Sequence, residues 1–370
     1  MRDLIRANAG LLFAGVATFV MMGAGQSLYG PALPAFARDL GLSGPQAGWL
    51  VSAHWIGCAI GVAAMYFRGV GVTPRMVIAT MAAGAALLAL GAGLVVTVLG
   101  AVTFGAGYGA ATVVFNPRIL RAFGAGGTSM LSLLNACFGI GAIAAPMVFV
   151  MFGSVPARAF ALVAGLAVVI WLFAGPAGRS STAPTDAVAG AFRPMYGLLL
   201  FAVAGIGIEA CLIGLGPTAL IAAGLGEAAA AQYLSLFFVA FLGARLGLVF
   251  CAHLVAPFTI YIGAMCVAAA ASVMAVLISP GLFFVVIGLA AGMFFPSFYV
   301  AASRAMGDDP RTAPTIIAAG LVGGIASPIL LGAVMDGLGQ TGFFWVMAVA
   351  TGMAAVVGLV VQRRLPALRG

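Results

Sequence analysis

Charge is what this sequence has least of. Asp, Glu, Lys and Arg make up 6% of its 370 residues, against about 25% in an ordinary soluble domain. Lysine is absent, so all sixteen basic residues are arginines. With 64% of residues hydrophobic, a water-soluble fold of this size is excluded, because roughly half of such a chain has to face solvent. Lipid is then the solvent of the outer face. The net charge of +8 does not point to nucleic acid, which needs a clustered basic face; here the arginines stand singly between apolar runs.

Other absences narrow the function. The five cysteines, Cys58, Cys137, Cys211, Cys251 and Cys266, form no CxxC pair and no Cys/His cluster, so neither a disulfide framework nor a metal site is expected. No Walker motif, HExxH, GxSxG or dinucleotide fingerprint stands out among the 53 glycines, which argues against ATP drive, an enzyme or a bound cofactor. The opening MRDLIRANAG and the apolar run after it imitate a signal peptide. The internal repeat described below needs that run as a helix, so it is read as retained.

What is present is a series of long apolar runs. A helix needs about 20 apolar residues to cross a hydrocarbon core of about 30 Å, and only helices satisfy every backbone group within one segment in lipid. Spans are predicted at 10–33, 46–67, 75–95, 98–121, 129–152 and 158–176, then at 196–222, 229–250, 257–278, 281–303, 312–334 and 340–362. A polar stretch, GRSSTAPTDAVAGAFRP at 178–194, separates the two sets. The expected fold is therefore an all-α integral membrane protein of twelve transmembrane helices in two pseudo-symmetric six-helix bundles, 1–177 and 195–370, joined by a cytoplasmic linker at 178–194. With the N-terminus in the cytoplasm, Arg2, Arg6, Arg68, Arg75, Arg121, Arg179, Arg193, Arg304, Arg311, Arg363, Arg364 and Arg369 fall on the cytoplasmic side. Only Arg38 and Arg158 fall outside. Such an asymmetry fixes orientation, and the expected location is a bacterial inner membrane with both termini cytoplasmic.

The two sets repeat. Gly30-Pro31-Ala32-Leu33 leads to Gly57 and Gly61, and Gly216-Pro217-Thr218-Ala219 leads to Gly243 and Gly247 at the same spacing. Arg121 and Gly124 match Arg304 and Gly307; Gly141 and Pro146 match Gly323 and Pro328. This alignment has offsets drifting from 186 to 182, as small insertions would produce. Two parallel six-helix repeats are the plan of the major facilitator architecture, in which solute is held near the bilayer midplane and one half rocks against the other. Prolines interrupt the first, fourth, seventh and tenth spans: Pro31 and Pro34, Pro117, Pro217, Pro296. Pro removes a helical hydrogen bond and bends the helix, so Pro31 and Pro217 are candidate gating bends, with ordinary membrane-helix proline as the alternative.

Ionisable residues inside spans are costly, about 2.5–3.5 kcal/mol for a central Asp, Lys or Arg, and are therefore candidates for function. Glu209 is the only acidic residue deep in any span. A carboxyl group removed from water favours its protonated form, so Glu209 is the candidate for proton coupling, with a static pair to Arg245 as the rival. Arg245 is a candidate for an anionic group of a substrate as well as for pairing or snorkelling. Arg118, nearer a cytoplasmic end, is assigned to a gate. Gln26, Tyr29, His54, Asn116, Asn135 and Tyr299 are candidate substrate contacts, since amides and aromatic faces suit a sugar; helix–helix hydrogen bonding competes for each.

At these residues the chain resembles the major facilitator superfamily over its whole length, and within it the fucose–galactose–proton symporter-like group. Leu134-Asn135-Ala136-Cys137-Phe138-Gly139-Ile140-Gly141-Ala142 through Pro146 is similar to that group's LNxxFGxGAxxGP segment. Gly207-Ile208-Glu209 with Gly216-Pro217-Thr218 resembles its GxE…PT pattern, Gly243-Ala244-Arg245-Leu246 its GRL, and Phe294-Phe295-Pro296-Ser297 its FP segment. The resemblance implies a proton-coupled symporter. Two departures stand out: the group's acidic residues in the first and fourth spans are replaced here by Gln26 and Asn116, and the stretch Gly57–Arg75 keeps Gly61, Arg68 and Arg75 but lacks the superfamily's cytoplasmic Asp.

The expected function is secondary active transport of a small polar solute, a sugar among the candidates, by alternating access with proton symport through Glu209. The alternative is a proton-coupled exporter of drugs or metabolites. Expected partners are the solute, protons and membrane lipid, with the chain acting as a monomer.

Overall fold

The computed structural model describes residues 2–68, 71–175, 194–251, 254–307, 309, 311–335, 337–339, 341–365 and 368. Among them there is no strand. After a short α1 (Arg2–Ala7) come α2 (Ala9–Leu40), α3 (Gly44–Arg68), α4 (Pro74–Leu90), α5 (Leu94–Phe123), α6 (Gly127–Met151) and α7 (Pro156–Phe173). The second set is α8 (Tyr196–Ala222), α9 (Glu227–Cys251), α10 (Pro257–Leu277), α11 (Pro280–Met306), α12 (Thr312–Met335) and α13 (Gly342–Arg364). The linker expected at 178–194 lies outside the described residues, Pro194 excepted.

Eleven of these helices are long and apolar enough to cross a membrane. The twelfth, α4, is apolar but has 17 residues, about 26 Å at 1.5 Å per residue. The sequence reading carried this span to residue 95. It stops at Leu90 because Gly91 and Gly93 adopt φ of 58° and 95°, a left-handed backbone that glycine adopts readily and that ends a helix. Helix starts are also set by sequence. Pro occupies the first turn of α4, α7, α10 and α11, where its missing N–H costs nothing. The side chains of Thr73 and Ser279 accept from the backbone N–H of Met76 and Leu282, satisfying donors that would otherwise be bare.

The chain divides into two compact units, residues 1–43 with 49–185, and 44–48 with 186–370. Each is paired internally in the same way. In the first, α2 lies along α6, and α4 packs on α5 and α7; in the second, α8 lies along α12, and α10 packs on α11 and α13. Helices α3 and α5 touch backbone to backbone: a Cβ on Gly105 would strike the carbonyl of His54, and one on Gly109 that of Cys58. In the second unit Gly288 and Gly292 meet the carbonyls of Phe237 and Phe241 on α9.

These contacts fix the register of the repeat. Gly288 follows Gly105 by 183 positions, and Phe237 follows His54 by the same 183. Gly141 packs on the Val20 carbonyl and Gly323 on that of Val203, offsets of 182 and 183. The 186-residue offset read from the sequence at the first and second spans is therefore three residues, nearly one helical turn, too long. Pro217 is the counterpart of Pro34, not of Pro31. Gly57 and Gly61 press on the carbonyls of Val102 and Ala106, whereas a Cβ on Gly243 or Gly247 would meet nothing within 4 Å; the two pairs look alike in sequence and do different things.

Candidate functional site

In the first unit, three sequence candidates fall on two neighbouring helices. Gln26 and Tyr29 are buried on α2 and His54 on α3. Tyr108 of α5, which the sequence reading passed over, donates from its hydroxyl to Gln26 Oε1 at 2.8 Å. The His54 ring lies 5.1 Å from that of Tyr29, 5.1 Å from Tyr108 and 5.9 Å from Phe104, centroid to centroid. Phe160 of α7 closes the far side of Tyr29 at 5.7 Å. This is an aromatic cluster with one internal hydrogen bond and three deficits: Tyr29 Oη, His54 Nδ1 and His54 Nε2 are all buried with no hydrogen-bond partner. Each such deficit costs about 1–3 kcal/mol.

The other first-unit candidates are elsewhere. Asn135 is exposed and its amide donates to Leu131 O in the preceding turn of α6 at 2.9 Å. Asn116 is part-buried, with its Oδ1 buried and lacking a partner. Arg118 is buried on α5 and donates from Nη2 to the Val72 carbonyl at 3.2 Å. It thus ties α5 to the turn between α3 and α4. Pro31 and Pro217 are both buried, and α2 and α8 run as unbroken helix through them.

In the second unit Glu209 is 8% exposed in the middle of α8, a helix buried on nearly all its faces. Its Oε2 has no hydrogen-bond partner. Arg245 of α9 acts on it electrostatically. The Arg245 guanidinium stacks over the Phe241 ring, 4.2 Å from its centroid and one turn back on the same helix, a cation–π contact. Tyr299 is part-buried on α11, 5.7 Å from Phe295. Behind α8, Phe201, Phe258, Tyr261 and Phe298 interlock, and Tyr261 donates to the Phe201 carbonyl at 3.0 Å. A cavity of about 330 Å³ opens between α8, α12 and α13, but it is lined by Gly207, Ile208, Cys211 and Ser327 and apolar side chains, without Glu209.

The 183-residue register relates the candidates to one another. Gln26 and Glu209 occupy equivalent positions of α2 and α8; Asn116 and Tyr299 occupy equivalent positions of α5 and α11. The position of His54 is held in the second unit by Phe237, a fully buried side chain. Each unit thus carries a polar residue at the same place on its first long helix, a carboxamide in one and a carboxyl in the other. Among the described residues no cluster of three or more His, Cys, Asp or Glu could hold a metal ion.

No family model matches the chain, and no curated protein matches it in sequence. Solved structures do match its fold. The nucleoside transporter NupG is 15% identical, covering 95% of this chain and 99% of its own, at a TM-score of 0.76. A D-xylose-proton symporter is 13% identical over 94% and 96%, at 0.74. The fucose:proton symporter FucP of E. coli is 15% identical over 96% and 98%, at 0.62. Full-length likeness at these scores defines the fold: this is the all-helical architecture of the major facilitator transporters.

Proposed function

We propose that this chain is a secondary active transporter that carries a small polar solute, with a sugar as the favoured class, by alternating access and proton symport through Glu209. The observation that carries the reading is Glu209 itself: a buried carboxyl group with an open oxygen, midway along a membrane helix. A group so placed can exchange a proton as its surroundings open and close, which a symporter requires. The rival reading is a static Glu209–Arg245 pair, and Arg245 acts on Glu209 electrostatically while its guanidinium lies over Phe241. Within the first unit, the Gln26–Tyr108 pair supplies neutral hydrogen bonds and a ring face that a hydroxylated solute would use. The fold is shared with symporters of D-xylose and fucose.

We further place the chain in a bacterial inner membrane as a monomer, with both termini in the cytoplasm and with solute, protons and lipid as its partners. The arginines at the ends of α5, α11 and α13 support that orientation.

The test is uptake by proteoliposomes under an imposed pH gradient, with a panel of neutral sugars, nucleosides and lipophilic cations. Gradient-driven accumulation of a neutral solute, lost in Glu209→Gln, is the expected result. Unchanged pH-driven uptake in Glu209→Gln would remove the coupling role. Extrusion of lipophilic cations in exchange for protons would replace import by export.

A further inference from the structure

We propose that His54 is a second proton-binding site, housed in the first unit and separate from Glu209. Three observations lead there. The imidazole is 1% exposed and neither nitrogen has a hydrogen-bond partner. A third orphan, Tyr29 Oη, belongs to the ring packed against it. And at the equivalent position, with its carbonyl against the equivalent glycine, the second unit carries Phe237 in place of a histidine. A phenyl ring would fill this slot without leaving two bare nitrogens. The imidazole is thus retained at a cost in hydrogen bonding, and the property it adds over phenyl is the ability to take and give a proton.

The surroundings say how that site works. The groups facing His54 are Tyr29 from α2, Tyr108 and Phe104 from α5, and Trp55 beside it on α3. Tyrosines apart, the only titratable side chain close by on α3 is Cys58, one turn further on. The described parts of α3, α5 and α7 carry no acidic residue, and on α2 the only one is Asp39 in its last turn; the nearest cations along α5 and α7 are Arg118 and Arg158. The closed cluster therefore offers an imidazolium no carboxylate. Loosening of α2 from α3 and α5 would let water reach both nitrogens and Tyr29 Oη together, satisfying all three orphans in one step. In water an imidazole titrates near pH 6.5. Proton binding at His54 is then linked to the hydrated arrangement, and neutrality to the packed one. That differential between two states is what makes a ligand shift a conformational equilibrium.

The inference rests on the reading that this chain couples a solute to protons, but its test needs no solute. The protein has two histidines, so ¹⁵N-histidine labelling of the full chain in lipid nanodiscs gives two imidazoles, assigned with His253→Gln and His54→Phe. The expected result is a His54 signal that passes from neutral to charged between pH 8 and pH 5, in wild type and in Glu209→Gln alike. A His54 signal that stays neutral across that range overturns the proposal. A titrating His54 in a protein that transports nothing would sink the transport reading and leave this one standing. His54→Phe is expected to keep the fold, as Phe237 does in the equivalent slot.

Discussion

The two units solve the same packing problem with different side chains. In the first, α3 and α5 bring glycine to both faces of their contact: Gly57 and Gly61 press on α5 while Gly105 and Gly109 press on α3. In the second, only α11 supplies glycines, Gly288 and Gly292, and α9 answers with the rings of Phe237 and Phe241. In lipid there is no hydrophobic gain from pressing apolar helices together, so close backbone approach and ring packing are the available sources of attraction. The first unit uses mainly approach, the second mainly rings. The difference carries over to the polar residues. The first gathers four of its polar side chains, Gln26, Tyr29, His54 and Tyr108, with no carboxylate among them. The second isolates one carboxyl group on α8.

The sharpest way to break the comparison is at the glycines. Gly105→Ala places a methyl group on the His54 carbonyl, which is backbone and cannot rotate away. Overpacking of this kind costs about 1–3 kcal/mol, and Gly57→Ala is expected to cost as much. Gly243→Ala and Gly247→Ala point into open space and should leave stability unchanged or raise it by about 0.5–1 kcal/mol, the helix preference for Ala over Gly. Thermal unfolding of the four purified variants in one detergent checks the contrast. Equal effects at all four positions would mean that the register derived above is wrong.

The next test exchanges the units' polar residues. If Gln26 and Glu209 are equivalent, Gln26→Glu in a Glu209→Gln background puts a carboxyl group at the matching place, within reach of the Tyr108 hydroxyl that now donates to the Gln26 side chain. Part of the pH dependence of uptake lost in Glu209→Gln is expected to return. A double variant as inactive as Glu209→Gln alone would show that the carboxyl works only in the setting of α8 and α9.

That setting was only partly visible in the sequence. The spans were legible because lipid demands long apolar runs, and the burial of Gln26, Tyr29, His54 and Glu209 followed from their depth within them. The register was not, for a physical reason. GxxxG occurs at Gly57 and Gly61, at Gly105 and Gly109, at Gly243 and Gly247, and at Gly288 and Gly292. Spacing alone does not say which of these faces a neighbouring backbone. The same ambiguity hid Tyr108, which sits inside a glycine run and declares itself only through the helix opposite. Asn135, by contrast, looked like a ligand because it is an amide in an apolar helix; folding spends that amide on its own preceding turn.

A smaller effect concerns Arg75 at the start of α4. Arg75 donates to neutral acceptors, the C-terminal carbonyls of α7. It donates to Trp171 O at 3.2 Å and Leu172 O at 3.1 Å, and its guanidinium lies 5.1 Å from the centroid of the Trp171 ring. A cation at a helix C-terminus contributes about 0.3–1 kcal/mol, so Arg75→Ala should lower the unfolding midpoint of the first unit slightly, and Arg75→Lys less. A drop as large as that of Gly105→Ala would mean that Arg75 holds more than one helix end.

The smallest effect is expected in the turn between α11 and α12, where Asp309 accepts from the Arg311 backbone N–H at 2.8 Å and from its Nε and Nη2 at 2.9 Å each. These bonds hold the Asp309 carboxyl down at about 2, against an ordinary 3.8, and hold the Arg311 guanidinium above its ordinary value. A depressed carboxylate contributes fully above its ordinary value and loses that contribution as the pH falls toward the depressed one. The pair is therefore intact from pH 5 to 9 and has no share in any pH dependence of transport there. Amide hydrogen exchange at Arg311 and Thr312, corrected for its intrinsic rate, should show constant protection over that range and a loss below about pH 3. Asp309→Asn should remove the acid step and leave the neutral-pH transport profile as it was. A shift of that profile in Asp309→Asn would bring this turn into the coupling mechanism and take the exclusive role away from the groups buried in the helices.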